Sequence, residues 1–179
     1  MKSVKVLLIG PQGSGKSTQS RLLAEYLNVP FIETGQIFRD LAKEESDLGK
    51  KIKEILDKGE MVPDDITADL VRERVARSDC QNGFVINGYP RNLNQTKLLK
   101  LEFGKVFSLE VGEEVVLSRL LKRAREDDTR ELIKKRLFDY NLLTRPVLDY
   151  FRNLGILESI NGERTVEEVQ EDLRSSLNG

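Results

Sequence analysis

A glycine-rich segment near the start of the chain, GPQGSGKST, restricts the fold more than any other feature of the sequence. It follows a short apolar run, residues 4–9, and leads into apolar residues spaced as in a helix. The segment matches G-x-x-x-x-G-K-[ST], which between a strand and a helix forms a loop whose backbone N–H groups surround phosphate oxygens. The positive end of the following helix also favours an anion. The sequence therefore predicts a buried strand, a phosphate-binding loop and a helix, in that order.

The residue types in this loop predict a nucleoside triphosphate or a similar molecule as the ligand. Glycine permits the tight backbone turns that wrap an anion, and the lysine can reach the outer phosphates. A serine or threonine hydroxyl after the lysine can face a magnesium ion. We therefore assign triphosphate binding to Gly10, Gly13, Ser14, Gly15, Lys16, Ser17 and Thr18.

The rest of the chain alternates apolar runs with helical patterns. Further strands are predicted within residues 29–34, 83–90, 105–111 and 155–160. Further helices are predicted at residues 36–45, 48–58, 66–77, 92–103, 113–123, 128–153 and 166–177. Asp64 or Asp65 can cap the helix at 66–77, and Pro146 should bend the helix at 128–153. Strands that alternate with helices predict an α/β fold with a parallel sheet covered on both faces.

Composition excludes several classes of function. Charged residues make up 33% of the chain but the net charge is −1, so overall charge favours neither nucleic acid nor a membrane surface as a partner. Cys80 is the single cysteine and histidine is absent, which excludes zinc sites, histidine bases and an internal disulfide. We expect a reduced, cytoplasmic setting. No apolar segment is long enough to span a bilayer. No pattern in the sequence marks an oligomer surface, so we expect a monomer.

Six segments of the chain resemble adenylate kinases in their order and approximate spacing: GPQGSGKSTQ, ETGQIFRD, KGEMVPDDI, GYPRNLNQ, REDDTRELIKKRL and RPVLDYF. The resemblance covers nearly the whole chain and is closest to members with a short lid. It implies transfer of the γ-phosphoryl group of ATP to AMP, with Mg²⁺, giving two ADP. It also implies one kinase domain with a core at about 1–33, 78–122 and 129–179, an arm that binds the nucleoside monophosphate at about 34–77, and a lid at about 123–128.

The residue types fit this chemistry. Ligands of a parallel α/β sheet bind beyond the carboxyl ends of its strands, and several arginines follow predicted strands or lie near the lid. A monophosphate acceptor already carries an anionic oxygen, so catalysis needs positioning and charge neutralisation rather than a general base. Guanidinium groups suit phosphate oxygens well.

The resemblance assigns these charged residues to separate tasks. It places Arg39 and Arg91 on the AMP phosphate, and Arg119 on the adenine of ATP. Asp127 and Asp128 match an acidic pair that positions the arginines of the lid. The residues it places around the transferring phosphoryl group are Lys16, Arg91, Arg123, Arg125 and Arg136.

The acceptor base is less strongly specified. A carboxamide can donate to and accept from adenine, and Gln95 matches the glutamine of adenylate kinases. UMP/CMP kinases tend to have asparagine there and alanine in place of Thr34, although Asn92 resembles those relatives. We expect AMP binding by Thr34, Arg39, Met61, Val62, Gly88, Arg91 and Gln95. A UMP/CMP or broad-specificity kinase, and a non-catalytic sensor of ATP and AMP, are the alternatives.

The chain departs from the pattern of adenylate kinases at three positions and in its lid, which is very short and has fewer residues than even the short-lid relatives. Asn87 stands where an aspartate usually helps to hold magnesium through water. Asparagine can accept from a metal-bound water but brings no charge, so we expect weaker binding of Mg²⁺, through water, near Ser17, Thr18 and Asn87. Ser17 itself replaces a usual glycine, and Gln36 replaces a common aspartate.

Overall fold

Five parallel strands form a single sheet at the centre of the protein. The computed structural model describes residues 4–123 and 129–178. The strands lie in the order β2-β3-β1-β4-β5 and are β1 (Val4–Ile9), β2 (Phe31–Glu33), β3 (Gly83–Asn87), β4 (Lys105–Glu110) and β5 (Leu157–Asn161). All five residues of β3 are buried, as expected for a strand inside a sheet that is covered on both faces. The predicted α/β fold with a parallel sheet is confirmed.

Nine α-helices surround the sheet in the described part of the chain. They are α1 (Lys16–Leu27), α2 (Thr34–Leu41), α3 (Asp47–Asp57), α4 (Asp64–Val75), α5 (Leu93–Leu98), α6 (Glu113–Arg123), α7 (Arg130–Asp139), α8 (Arg145–Asn153) and α9 (Val166–Asn178). None of the helices within residues 4–123 and 129–178 is both long enough and apolar enough to cross a membrane.

The two faces of the sheet have separate hydrophobic cores, because successive side chains of a strand point to opposite faces. Leu7 and Ile9 of β1 pack on one face with side chains of α4 and α8. Val6 and Leu8 pack on the other face with side chains of α1 and α9. Strand β1 is therefore held by packing on both faces, and the loop that leaves its carboxyl end is the predicted phosphate-binding loop.

Helices α2, α3 and α4 enclose a smaller cluster of their own, built around Phe38, Ile52 and Val62. This unit contacts α7 on the other side of the cleft. The Lys135 ammonium of α7 donates to the Lys58 carbonyl at 3.3 Å, and a Cβ atom on Gly59 would lie 2.4 Å from Leu132. Gly59 also has a φ of +63°, a conformation that favours glycine at this position.

Two predicted helices differ in extent. The helix predicted at 92–103 ends at Leu98, because Leu99 is extended and the chain then turns so that Phe103 packs edge-on against Phe84 and Phe151. The long helix predicted at 128–153 is α7 and α8, joined by a π-helical turn at Tyr140–Thr144. The π-helical turn ends two residues before Pro146, which lacks a backbone N–H, so the regular α-helical pattern is interrupted near this proline.

Two tyrosines with raised pKa values should make the free energy of unfolding fall at alkaline pH. Burial raises the pKa of Tyr89 to about 12, assisted by Asp64 and opposed by Arg72. Burial and Glu110 raise the pKa of Tyr140 to about 12. The folded protein keeps both phenols protonated while the unfolded chain ionises near pH 10, so their contribution is complete below pH 10 and is lost towards pH 12.

We therefore expect the free energy of unfolding to fall in this range by about 1.4 kcal/mol per pH unit for each tyrosine. The variant Tyr89→Phe/Tyr140→Phe should lose less stability between pH 10 and 12, measured by urea unfolding. The exposed Tyr150→Phe is the control. Equal losses in the double variant and the unmodified protein would contradict the prediction.

Candidate active site

The carboxyl ends of the strands open into a cavity of about 750 Å³. The phosphate-binding loop forms one side, and the ends of β2 and β3 with helices α2 to α4 form another. Predicted basic residues from distant parts of the chain line this one cavity: Lys16, Arg39, Arg91, Arg119 and Arg136. The volume is in the range typical of ligand sites.

The loop has the conformation that the sequence predicts. Gly13 and Gly15 have φ values of +84° and +90°, and a Cβ atom on Gly13 would lie 2.9 Å from Leu120. The Lys16 ammonium donates to the Pro11 carbonyl at 3.1 Å, which folds the lysine over the loop. Gly15, in the N-cap position of α1, has no side chain to cap the helix, so the start of α1 suits an anion.

Ser14 differs from the other predicted loop residues. Gly10, Gly13, Gly15, Lys16, Ser17 and Thr18 line the cavity, but Ser14 does not. Its side chain is 1% exposed, its hydroxyl has no hydrogen-bond partner among the described residues, and its backbone N–H donates to Pro11. The hydroxyl lies against Gly10. No side-chain atom of Ser14 is therefore accessible for the expected contact with the triphosphate.

Arg91 lines the cleft and is exposed to the solvent that fills it, although protein atoms lie close around its guanidinium. Its Nε donates to the Gly88 carbonyl at 3.1 Å, and its own carbonyl accepts from the Thr144 hydroxyl at 2.8 Å. Burial first, and then the charges of Arg136 and Arg39, lower the pKa of Arg91, while Glu33 opposes them. Arginine nevertheless stays protonated in proteins, so the cleft contains a concentrated positive charge.

Arg39 faces the same space from α2. Its guanidinium donates to the Gln36 carboxamide oxygen at 2.9 and 3.2 Å and lies 3.5 Å from a Glu33 carboxylate oxygen. Gln36, which replaces the aspartate common in adenylate kinases, therefore orients an arginine here. It does so without neutralising the charge of that arginine.

Gln95 and its surroundings form the predicted base pocket. Gln95 lines the cavity with Met61 and Val62, but its side chain is only 1% exposed. Its Oε1 accepts from the Arg91 backbone N–H at 2.7 Å, and its Nε2 donates to Asp64 at 2.8 Å. Each end of a carboxamide can make one further hydrogen bond, so Gln95 retains one donor and one acceptor.

Thr34 lies behind the predicted base pocket rather than in its lining. It is fully buried, and its hydroxyl donates to the Asn87 carbonyl at 3.1 Å. The side chain therefore joins the ends of β2 and β3. Its hydroxyl proton is therefore used and no solvent reaches the side chain, and the expected contact of Thr34 with AMP stays a prediction.

Asp64 does not itself line the cavity but holds Gln95, a role that sequence reasoning missed. It was expected to cap α4, but α4 begins at Asp64 itself, after Pro63, and shows no side-chain cap. Instead, its carboxylate accepts from the amides of Asn92, Asn94 and Gln95, each at 2.8 Å. Partial burial opposes ionisation, but these three hydrogen bonds outweigh it and hold the pKa of Asp64 below its ordinary value.

Asn92 has a structural role in this network. Its Oδ1 accepts from the Gln95 backbone N–H at 2.8 Å and so caps α5. Its amide donates to Asp64 at 2.8 Å. Asn92 therefore caps α5 and holds the Asp64 carboxylate at the same time.

Two further predicted basic residues, Arg119 and Arg136, line the cavity beside the phosphate-binding loop. Arg119 donates to the carbonyls of Gly162 at 3.0 Å and Glu163 at 3.5 Å, which fixes its guanidinium at the cavity wall. Arg136 reaches from α7 to the loop and donates to the Gln12 side chain at 3.3 Å. Four predicted contributions lie outside the described residues: the side chain of Arg123, and Arg125, Asp127 and Asp128.

Oxygen ligands suited to magnesium lie at the ends of β2 and β3. The Ser17 hydroxyl donates to Glu33 at 2.9 Å, and the Asn87 amide donates to the Ser20 hydroxyl at 3.4 Å. Among residues 4–123 and 129–178, no group of three or more histidine, cysteine, aspartate or glutamate side chains is placed to enclose a metal ion. Hydroxyl, carboxylate and amide oxygens fit a hard cation held mainly by phosphates and water.

A phosphate-binding loop that faces several arginines at the carboxyl end of a parallel sheet is typical of a P-loop phosphotransferase. A family model described as adenylate kinase matches residues 8–156. The chain belongs to the adenylate kinase family. It is 39% identical over 180 residues to "Adenylate kinase 1" of Nostoc sp. (strain PCC 7120 / SAG 25.82 / UTEX 2576), with 97% of this chain and 98% of that protein covered. It is 41% identical over 185 residues to "Adenylate kinase" of Bifidobacterium longum (strain NCC 2705), with coverage of 97% and 100%.

One relative is longer than this chain. "Adenylate kinase" of Clostridioides difficile (strain 630) is 34% identical over 212 aligned positions, with 97% of this chain and 98% of that protein covered. The alignment is longer than the 179 residues of this chain. That relative therefore contains segments that this chain lacks.

Proposed function

We propose that this enzyme transfers the γ-phosphoryl group of ATP to AMP and so forms two ADP. The observation that carries this proposal is that the loop lysine, Lys16, and the arginines expected on the acceptor, Arg39 and Arg91, line one cavity. Two phosphorylated ligands bound there would have their phosphates adjacent. The names of the relatives support AMP as the acceptor.

The chain's own residues supply positioning and positive charge. An acceptor phosphate oxygen is the nucleophile, and Arg91 with Arg39 orients it and offsets the repulsion between the two ligands. Arg136, joined to the loop through Gln12, stabilises the charge on the transferring group together with Lys16. Arg119, fixed by two carbonyls, is a platform for the adenine of ATP. Mg²⁺, bound to the nucleotide, supplies further neutralisation of phosphate charge.

The organisation of the chain supports closure over the acceptor. Helices α2 to α4 have their own hydrophobic cluster and so can act as the arm at about 34–77. The lid is proposed at about 123–128, and the enzyme is proposed to act as a monomer. Closure of the arm and the lid would exclude water from the phosphates and complete the set of catalytic groups.

A coupled assay for nucleoside diphosphate tests this proposal. ATP and Mg²⁺ are supplied with AMP, CMP, UMP or GMP, and the products are separated. We expect formation of ADP with AMP to be the fastest reaction. Faster phosphorylation of CMP or UMP would favour a pyrimidine nucleotide kinase. Binding of ATP and AMP without any ADP would favour the non-catalytic sensor.

Asp64 should control recognition of the acceptor base. The substitution Asp64→Asn removes the charged acceptor that orients Gln95, and a hydrogen bond to a charged group contributes about 1.5–3 kcal/mol. We therefore expect KM for AMP to rise about tenfold, with less preference for AMP over CMP and an unchanged KM for ATP. Steady-state kinetics with both acceptors measure this.

Asp65→Asn is the matched control, because Asp65 is the next residue of α4 and is exposed. It should leave both KM values unchanged. A normal AMP preference in Asp64→Asn would show that Gln95 does not depend on this carboxylate.

A further inference from the structure

We propose that Glu33 supplies the carboxylate of the magnesium site in this protein and that Ser17 acts with it. This rests on the proposed function only in that the metal is the one that accompanies the nucleoside triphosphate. Asn87 stands where adenylate kinases usually have aspartate, so the end of β3 brings no charge to the cation. The neighbouring strand, β2, ends in Glu33 and so brings a negative charge.

The sheet places Glu33 beside Asn87. These residues are partners in the parallel register of β2 and β3, and each is the last residue of its strand. Both side chains reach the same helix, since Glu33 accepts from Ser17 and Asn87 donates to Ser20, three residues further along α1. Glu33, Asn87 and Ser17 all line the cavity. A carboxylate at the end of β2 is thus presented to the same space as the amide at the end of β3.

The hydrogen bond between Ser17 and Glu33 suits a metal site. Because the Ser17 hydroxyl directs its proton to Glu33 at 2.9 Å, its lone pairs remain available to a cation. A hydroxyl at this position of the phosphate-binding loop is the one that faces Mg²⁺. The Glu33 side chain is 20% exposed, so its carboxylate can also accept from water on the metal.

Glu33 has a second neighbour, which defines the competing interpretation. An Arg39 guanidinium nitrogen lies 3.5 Å from Glu33 Oε1, so the carboxylate could instead position that arginine for the acceptor. This separation is longer than the 2.9 Å contact with Ser17, and Arg39 already donates to Gln36 at 2.9 and 3.2 Å. The geometry therefore associates Glu33 more closely with the triphosphate side.

Direct titration of the metal tests the proposal. The protein is saturated with an ATP analogue whose β and γ phosphates are joined through nitrogen, and Mg²⁺ binding is measured by calorimetry without any acceptor. Loss of such an outer partner typically weakens metal binding 10–100-fold, so we expect Glu33→Gln to raise the Kd of Mg²⁺ about tenfold. Asn87→Asp added to Glu33→Gln should return the Kd to within about threefold of the original.

Glu60→Gln is the matched control, because Glu60 lines the same cavity and undergoes the same chemical change. Its Kd for Mg²⁺ should be unchanged. An unchanged Kd in Glu33→Gln with a raised KM for AMP would overturn the proposal and assign Glu33 to Arg39. Failure of Asn87→Asp to restore binding would also overturn it. Neither result depends on the identity of the acceptor, which the assay with four monophosphates decides separately on the unmodified enzyme.

Discussion

The substitution Arg91→Ala is expected to lower kcat/KM for AMP by about 10³-fold, because arginines that stabilise a phosphoryl-transfer transition state contribute 10³–10⁵ in rate. Arg91 is held in the cleft by Gly88 and Thr144, and the positive charges of Arg136 and Arg39 lie close enough to lower its pKa. The alanine variant loses the guanidinium while these neighbours remain. Steady-state kinetics with AMP as the varied substrate, and calorimetry for ATP alone, give the two readouts.

Binding of ATP alone should stay within about threefold of normal, because the loss is confined to the acceptor side. Arg91→Lys should recover only part of the activity, since an ammonium lacks the planar pair of donors that matches phosphate. Arg77→Ala, at an exposed arginine paired loosely with Glu73 at 3.9 Å, is the control and should retain full activity. AMP turnover in Arg91→Ala equal to that of the control would remove Arg91 from the proposed mechanism.

The substitution Lys16→Ala is expected to lower kcat by about 10³-fold, through loss of an interaction with ATP rather than with AMP. A loss of this size is typical when a preorganised charge is removed from a transition state. Lys16 is the first residue of α1, and its ammonium bends back to the Pro11 carbonyl over the loop. It can therefore accompany the outer phosphate as charge moves from ATP to the acceptor. Rapid-quench measurement of ADP formation at saturating ATP and AMP tests the chemical step directly.

AMP binding should be nearly normal in Lys16→Ala. In Arg91→Ala, by contrast, the loss is expected on the AMP side and ATP binding stays nearly normal. Lys97→Ala, at an exposed lysine on α5, controls for the loss of one positive charge from the protein. If Lys16→Ala and Lys97→Ala formed ADP at the same rate, the loop would bind its ligand without promoting transfer.

The parts of the site that could be predicted are those fixed by local backbone geometry. The spacing of glycines around Lys16 specifies the loop, and the rule that ligands bind at the carboxyl ends of parallel strands brings Arg39 and Arg91 to the same edge. Arg136 was predicted by resemblance alone, because nothing in its helical pattern distinguishes it from neighbouring surface charges.

The parts that were missed depend on contacts between distant segments. Asp64 has the sequence context of a helix cap, but three amides about thirty residues away compete for its carboxylate and leave it beside Gln95. Glu33 gave no local signal, since its partner Ser17 lies on a different element. The side chains of Ser14 and Thr34 are buried, which their positions in the sequence did not indicate, because the direction of a side chain in a loop or just after a strand follows no regular period.

The group of arginines in the cleft affects how the protein behaves in ordinary buffers. The like charges of Arg91, Arg136 and Arg39 oppose one another, and an anion that binds among them removes that opposition. Sulfate or inorganic phosphate in a preparation would therefore raise the melting temperature and compete with nucleotides at the same time. Apparent nucleotide affinities should accordingly depend on the identity of the buffer anion as well as on ionic strength.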